Sequence, residues 1–339
     1  MTTLKLTPLV LAALLVGCQS SGERQPLRPD PLPPVPPIVQ VDVDTDLREA
    51  AAAFVIKATQ ADDPIFRANA AEAAEGLPDD DATAALVPLL EDDDPVVRFA
   101  AMMTIGREQF GGPDLVDDLG VLAAGPSPNG RVAAMFAMHR LGETAKSQGL
   151  ADATTSPDPV VRSHAALALG LTGEPSAVDV LEPMLGDDDA TVRLTAAEAL
   201  WRFGRRDARD RLMEASLSGY TDDSVIGTLA LGVHPDPSAF AMLQGKLTDD
   251  YAEVQLAAAR ALGQLGSDAG FGLAREAASS QEPRLRGMAA AAFGDIGRYD
   301  AQADLAALLD DDDLGVQLAA AAAILKLDGF APQTLGAGR

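Results

Sequence analysis

A chain of 339 residues with 47% hydrophobic side chains can bury a large core, yet only 4% of it is aromatic, which favours many small alanine-lined contacts over a few bulky ones. A formal charge of −25 at pH 7 excludes nucleic acid as the expected partner, because phosphate backbones are held by surplus Lys and Arg. Cys18 is the only cysteine, which excludes an internal disulfide and a thiolate metal cluster.

Residues 1–17 read as a targeting segment and not as part of the fold. Lys5 supplies a positive start, and the apolar run over 6–16 is too short to span a bilayer as a mature helix. Leu15-Val16-Gly17-Cys18 closes it. Together these residues resemble a bacterial lipoprotein signal; the alternative is an ordinary signal peptide with an incidental cysteine. The resemblance implies cleavage before Cys18 and acylation there, so that the mature chain meets a lipid membrane through acylated Cys18. Each buried acyl methylene adds about 0.8 kcal/mol to such an anchor. Gln19 stands where enteric bacteria place the aspartate that retains a lipoprotein at the inner membrane, which points to the outer membrane in an organism that has two. Over 18–44 there is no helical period, and seven prolines fall between Pro26 and Pro37. Such a stretch favours extended polyproline II and serves as a semi-rigid spacer; the alternative is a proline-rich ligand for an aromatic groove.

From residue 45 to 328 one module recurs, and 329–339 form a tail. The register is set by Arg67, Arg98, Arg131, Arg162, Arg193, Gly227, Gln255, Arg286 and Gln317, at spacings of 31, 33, 31, 31, 34, 28, 31 and 31. Three residues beyond each lies an alanine, from Ala70 and Ala101 to Ala289 and Ala320. The position before the arginine is apolar in all but one module, and the positions seven and ten beyond it are apolar in most. Steps of four, four and three mark one face of a helix. The start of that helix is signalled by an acidic residue four before the arginine in seven modules and by proline three before it in five, an N-cap and first-turn pair. Its end is signalled by glycine at Gly142, Gly173, Gly204, Gly266 and Gly297. A shorter apolar segment before each Asp run, such as 177–185, predicts a first helix. The fold class is therefore all-α, an α-solenoid of about nine antiparallel helix pairs, read as an elongated array whose ends fray first.

Helix pairs at a period near 31 with an Asp-Pro-x-Val-Arg turn, as in Asp94-Pro95-Val96-Val97-Arg98 and Asp158-Pro159-Val160-Val161-Arg162, resemble HEAT repeats of the short bacterial type similar to phycobilisome lyases. The resemblance implies that second helices line the concave side and that the arginines brace neighbouring turns through acidic side chains. The sixth module departs from the pattern: Gly227 replaces the arginine, and Gly232, Pro235 and Pro237 crowd the helix end, which predicts a local kink or change of curvature.

Catalytic patterns are scarce. His139, His164 and His234 lie in different modules without a second metal ligand at suitable spacing. Deoxyhypusine hydroxylase, an enzyme family built on similar repeats, uses His-Glu pairs for iron, and no His-Glu dipeptide occurs here. No P-loop, dinucleotide fingerprint or nucleophile elbow is present. The expectation is a non-enzyme without a cofactor. The Asp runs, among them Asp187 to Asp189 and Asp310 to Asp313, read as N-caps along one acidic edge; calcium bridging and docking of a basic partner are the functional alternatives.

Positions one, five and eight beyond the arginine lie opposite the core stripe. They are bulky at Phe99, Met103, Val132, Phe136, His139, Leu194 and Trp201, which predicts an apolar partner site on the concave side of the amino-terminal half; the alternative is that curvature buries these side chains. The function expected is a protein-binding scaffold, lipid-anchored outside the cytoplasm on the bacterial envelope, with a protein partner of unknown identity. The second reading is a phycobilisome lyase-type enzyme or enzyme subunit.

Overall fold

A computed structural model describes residues 43–328; the signal segment, Cys18, the prolines of the spacer and the tail 329–339 lie outside them. The described chain is helical throughout and contains eighteen α-helices in nine pairs. The first pairs are α1 (Thr45–Ala58) with α2 (Pro64–Ala73), α3 (Asp79–Leu86) with α4 (Pro95–Glu108), and α5 (Val116–Ala123) with α6 (Pro128–Arg140). Then come α7 (Ser147–Ala153) with α8 (Pro159–Thr172), α9 (Ala177–Leu181) with α10 (Ala190–Arg202), and α11 (Arg206–Ser216) with α12 (Thr221–Leu231). The last three pairs are α13 (Pro237–Lys246) with α14 (Ala252–Gln264), α15 (Phe271–Ala277) with α16 (Pro283–Ile296), and α17 (Gln302–Leu309) with α18 (Leu314–Asp328). Among these residues no helix is long and apolar enough to cross a membrane.

The sequence signals act where their chemistry requires. Carboxylates of Asp63, Asp94, Asp158, Asp189 and Asp313 accept from amides of the first turn of the helix that follows each, satisfying groups that no intrahelical carbonyl reaches. Proline occupies the first helical position after three of them, at Pro64, Pro95 and Pro159. Gly142, Gly173, Gly204, Gly266 and Gly297 all have positive φ, between 72° and 112°, as a left-handed C-terminal cap demands. Two starts differ from expectation. Helix α12 begins at Thr221 after Tyr220, so Asp223 sits in its first turn and not at its cap, and Glu282 precedes α16 without a side-chain capping bond.

The repeated arginine is a brace with two arms. Nη1 of Arg162 donates to the carbonyls of Ser156 and Pro157, at 2.8 and 3.4 Å, closing the turn between the two helices of its own module. Its Nε and Nη2 form a paired bond to Asp187 of the next module, both at 2.7 Å, and this bond holds the Asp187 carboxyl below its ordinary range. Arg67 with Asp92 and Arg286 with Asp311 repeat both arms. Arg98, Arg131 and Arg193 keep only the carbonyl arm, because the residue 25 further on is Ala123, Ser156 or Ser218. Gln255 and Gln317 preserve one bond of that arm, to the carbonyls of Asp249 and Asp311.

The array is not open. Helix α18 packs along α1 and touches α2, so the ninth pair closes onto the first. The backbone N–H of Asp44 donates to Oε1 of Gln302 at 2.9 Å, across 258 residues of sequence. At Gly76 a Cβ would come within 2.6 Å of Cβ of Leu325. An average turn of about 40° per module suffices to close nine modules. This corrects the expectation of an elongated array with fraying ends: the first and last modules cover each other.

The sixth module is where the ring is least regular. Helices α10 and α12 barely touch, whereas α12 packs closely on its own partner α11. A Cβ at Gly227 would lie 2.5 Å from the backbone nitrogen of Ser216, so the glycine admits a helix contact that any side chain would block. Trp201 fills the widened joint: its Nε1 donates to the carbonyl of Leu231 at 3.3 Å and its ring meets His234 edge-on at 4.8 Å.

Candidate functional site

The apolar patch expected on the concave face is not exposed. Phe99, Met103, Val132, Phe136, His139 and Trp201 are each at most 6% accessible, and Leu194 is half-buried. The cause is the close packing of second helices on those of neighbouring modules, which reaches two modules away at Phe99. Phe99 of α4 stacks on His164 of α8 with ring centroids 4.1 Å apart. Phe136 of α6 fills the space beside Gly106 of α4, where a Cβ would come within 2.7 Å of its ring. These residues are core, and the partner-site reading of them is corrected accordingly. His164 is bonded through Nδ1 to Oδ1 of Asn129 at 3.0 Å, and burial pushes its pKa down to about 4, against the pull of Asp158. It is a neutral packing group at physiological pH.

Two other regions stand out. The first is a cavity of about 530 Å³ on the concave side, between α2, α4, α14, α16 and α18, which spans the closing seam of the ring. Five of its charged groups come from positions five and nine beyond the repeat arginine, Glu72 and Arg260 at five and Arg107, Asp295 and Lys326 at nine; Asp63, Glu75, Arg284, Asp312 and Asp313 also line it. Asp295 is 3% accessible. Burial pushes its carboxyl up, but Arg260 and Lys326 together outweigh that and hold it below the ordinary range. Arg260 donates from Nε to Oδ2 of Asp295 at 2.7 Å, and Lys326 bonds Oδ1. Across the cavity Arg107 pairs with Glu75 at 3.0 Å. Burial pushes the neighbouring Glu72 up to about 8, with Arg107 opposing and Glu75 reinforcing the shift.

The second region is one rim of the ring. Ile65, Val96, Leu217, Tyr220, Tyr251 and Leu314 are between 41% and 77% accessible. Each lies in the turn entering a second helix or in that helix's first turn. The Asp runs share this rim, at Asp62, Asp93, Asp222, Asp250 and Asp312 among others. Among the described residues no group of three or more His, Cys, Asp or Glu is placed to hold a metal ion. The cap carboxylates instead accept from backbone amides, and Asp92, Asp187 and Asp311 also bind arginines.

Sequence reasoning found the acidic edge of the rim, with docking of a basic partner as one reading of it, but missed the exposed apolar residues there and the cavity. The rim residues sit at turn positions that vary between modules, so no period marks them. The cavity charges carried a readable signal, since charged side chains recurred five and nine beyond the arginine on otherwise alanine-rich helices. That signal becomes a site only once the first and last modules meet.

Residues 51–138 and 116–201 match the family model of HEAT repeats, and the same paired-helix geometry continues through the ninth module. No curated protein matches the sequence. Among solved structures, human deoxyhypusine hydroxylase in complex with glycerol is similar at 22% identity and a TM-score of 0.36, covering 74% of this chain and 98% of its own. The complex of CpcE and CpcF of phycocyanin lyase from Nostoc sp. PCC7120 is similar at 17% identity and a TM-score of 0.46, covering 72% of this chain and 97% of its own. Kap121p is similar at 15% identity and a TM-score of 0.35, covering 83% of this chain and 38% of its own. None of these likenesses carries an activity over to this chain.

Proposed function

We propose that this closed solenoid of HEAT-like pairs is a protein-binding scaffold of the bacterial envelope, not an enzyme, tethered outside the cytoplasm through acylated Cys18, at the outer membrane where two membranes exist. The observation that carries the binding reading is the rim. Six large apolar side chains exposed at equivalent turns and interleaved with carboxylates match a partner that presents apolar and basic groups, since aromatic anchors and charge complementarity give interfaces their affinity and steering. This moves the partner site from the concave residues Phe99, Met103, Phe136, His139, Leu194 and Trp201 to the turns that precede the second helices. The lipobox and its cysteine support the anchor.

The test compares capture from solubilised membranes by the native chain and by a Leu217→Ser, Tyr220→Ser double variant. Loss of the captured protein with unchanged helicity is expected, and equal recovery by both would refute the rim as the partner site. For the anchor, Cys18→Ser is expected to move the protein from the membrane to the soluble fraction.

A further inference from the structure

At the Asp295 end of the cavity, hydrogen-bond donors are left open that the ring's own residues do not fill. Arg260 and Lys326 both rest on the single carboxylate of Asp295, with Arg260 and Asp295 buried and Lys326 reaching solvent at 42% accessibility, so two cations face one anion there. Nη1 of Arg260 is buried without a hydrogen bond, as are Nε of Arg107 and Nε of Arg284, although Nη2 of Arg284 faces Asp222 at 3.5 Å. All three arginines line this one cavity. Buried donors normally find acceptors, and leaving one without is costly. Beside them the wall is apolar, with Ile65, Phe66, Met288 and Leu318, and the volume of about 530 Å³ falls within the range of small-molecule sites.

We propose that this cavity binds a small amphiphilic monocarboxylate, its carboxylate on the Arg260 side and its hydrocarbon body against Ile65, Phe66, Met288 and Leu318. A guanidinium presents paired N–H donors that match a carboxylate. At the Asp295 cluster one further negative charge offsets Arg260 and Lys326, whereas a dianion would meet repulsion from the other lining carboxylates, Asp63, Glu72, Glu75, Asp312 and Asp313. Ile65 and Leu314 belong both to the rim and to this cavity, whereas Leu217 and Tyr220 lie on the rim alone, so variants at Leu217 and Tyr220 test the rim without altering the cavity.

Isothermal titration of the full chain with octanoate tests this, with octanol and octylamine as comparators of the same length. Octanoate is expected to bind, with the comparators weaker by about tenfold or more, and Arg260→Gln is expected to weaken octanoate by roughly 10- to 100-fold, the scale of a charge-assisted bond. Because Arg260 also supports Asp295, Ala291→Leu provides a second variant: it narrows the cavity without touching the charged cluster and is expected to abolish octanoate binding at unchanged helicity. The proposal is overturned if octanoate fails to bind the native chain, if octanol or octylamine binds as well as octanoate, or if a folded variant of either kind binds octanoate like the native chain.

Discussion

At the scale of the residue, the same arginine does different amounts of work in different modules, and the difference is set by one remote position. Arg162 holds two carbonyls and a carboxylate, whereas Arg98 holds carbonyls alone. Arg162→Ala should therefore cost about 2–3 kcal/mol, since it strands a mostly buried Asp187, while Arg98→Ala should cost only about 1 kcal/mol. Denaturant midpoints of the two variants check this, and equal losses would contradict it. Glu72 gives a prediction in pH. Its carboxyl is raised from an ordinary 4.5 to about 8, so the folded chain keeps a proton that the unfolded chain has lost. The stabilising proton uptake is complete below about pH 4.5 and is lost as the pH rises through 8. Glu72→Gln should leave stability near pH 4 almost unchanged and raise it by about 1–3 kcal/mol at pH 9, as read from unfolding midpoints at the two pH values.

At the scale of the element, caps and core stripes were legible in the sequence because each depends on contacts within one helix or one turn. The aspartate N-caps, the first-turn prolines and the glycine C-caps all act over a few residues. What was misread were the faces. Phe136 and Trp201 lie opposite the stripe that packs within a module, and a single helix gives no sign that a neighbour will cover its far side. Gly227 shows the same limit from the other direction. Local consensus calls for arginine there, yet the close approach of α11 makes a side chain intolerable. Gly227→Arg, although it restores the repeat pattern, is expected to lower the thermal midpoint as overpacking does, by about 1–3 kcal/mol of stability. A gain in stability would show that α11 can shift without loss.

At the scale of the whole molecule, closure changes how stability is distributed. An open solenoid loses its terminal modules first, because each end buries only one face. Here α1 and α18 cover one another, so their amides should be protected from hydrogen exchange about as well as those of α8. Gly76→Val should wedge α2 from α18, given the 2.6 Å approach to Leu325, and make α1 and α18 the fastest-exchanging helices. Exchange mass spectrometry of the two chains reads this directly; terminal helices that already exchange fastest in the native chain would contradict the closure. The seam also creates the cavity, whose walls come from both ends of the repeat array.

The sequence by itself determined the helix-pair module, its period and register, its caps and its bracing arginines, because these rest on interactions within a turn or between adjacent modules, which recur and can be read by comparing copies. Only the tertiary structure decided that nine modules turn far enough to meet. The small rotation contributed by each joint rests on close approaches between modules such as Gly106 against Phe136 and Gly170 against Ala199; it leaves no pattern within one module and becomes visible only in the sum. That sum buried the residues that looked like a partner site, left Ile65, Tyr220 and Leu314 exposed on a rim, and brought Glu72, Arg260 and Lys326 to one cavity from opposite ends of the chain.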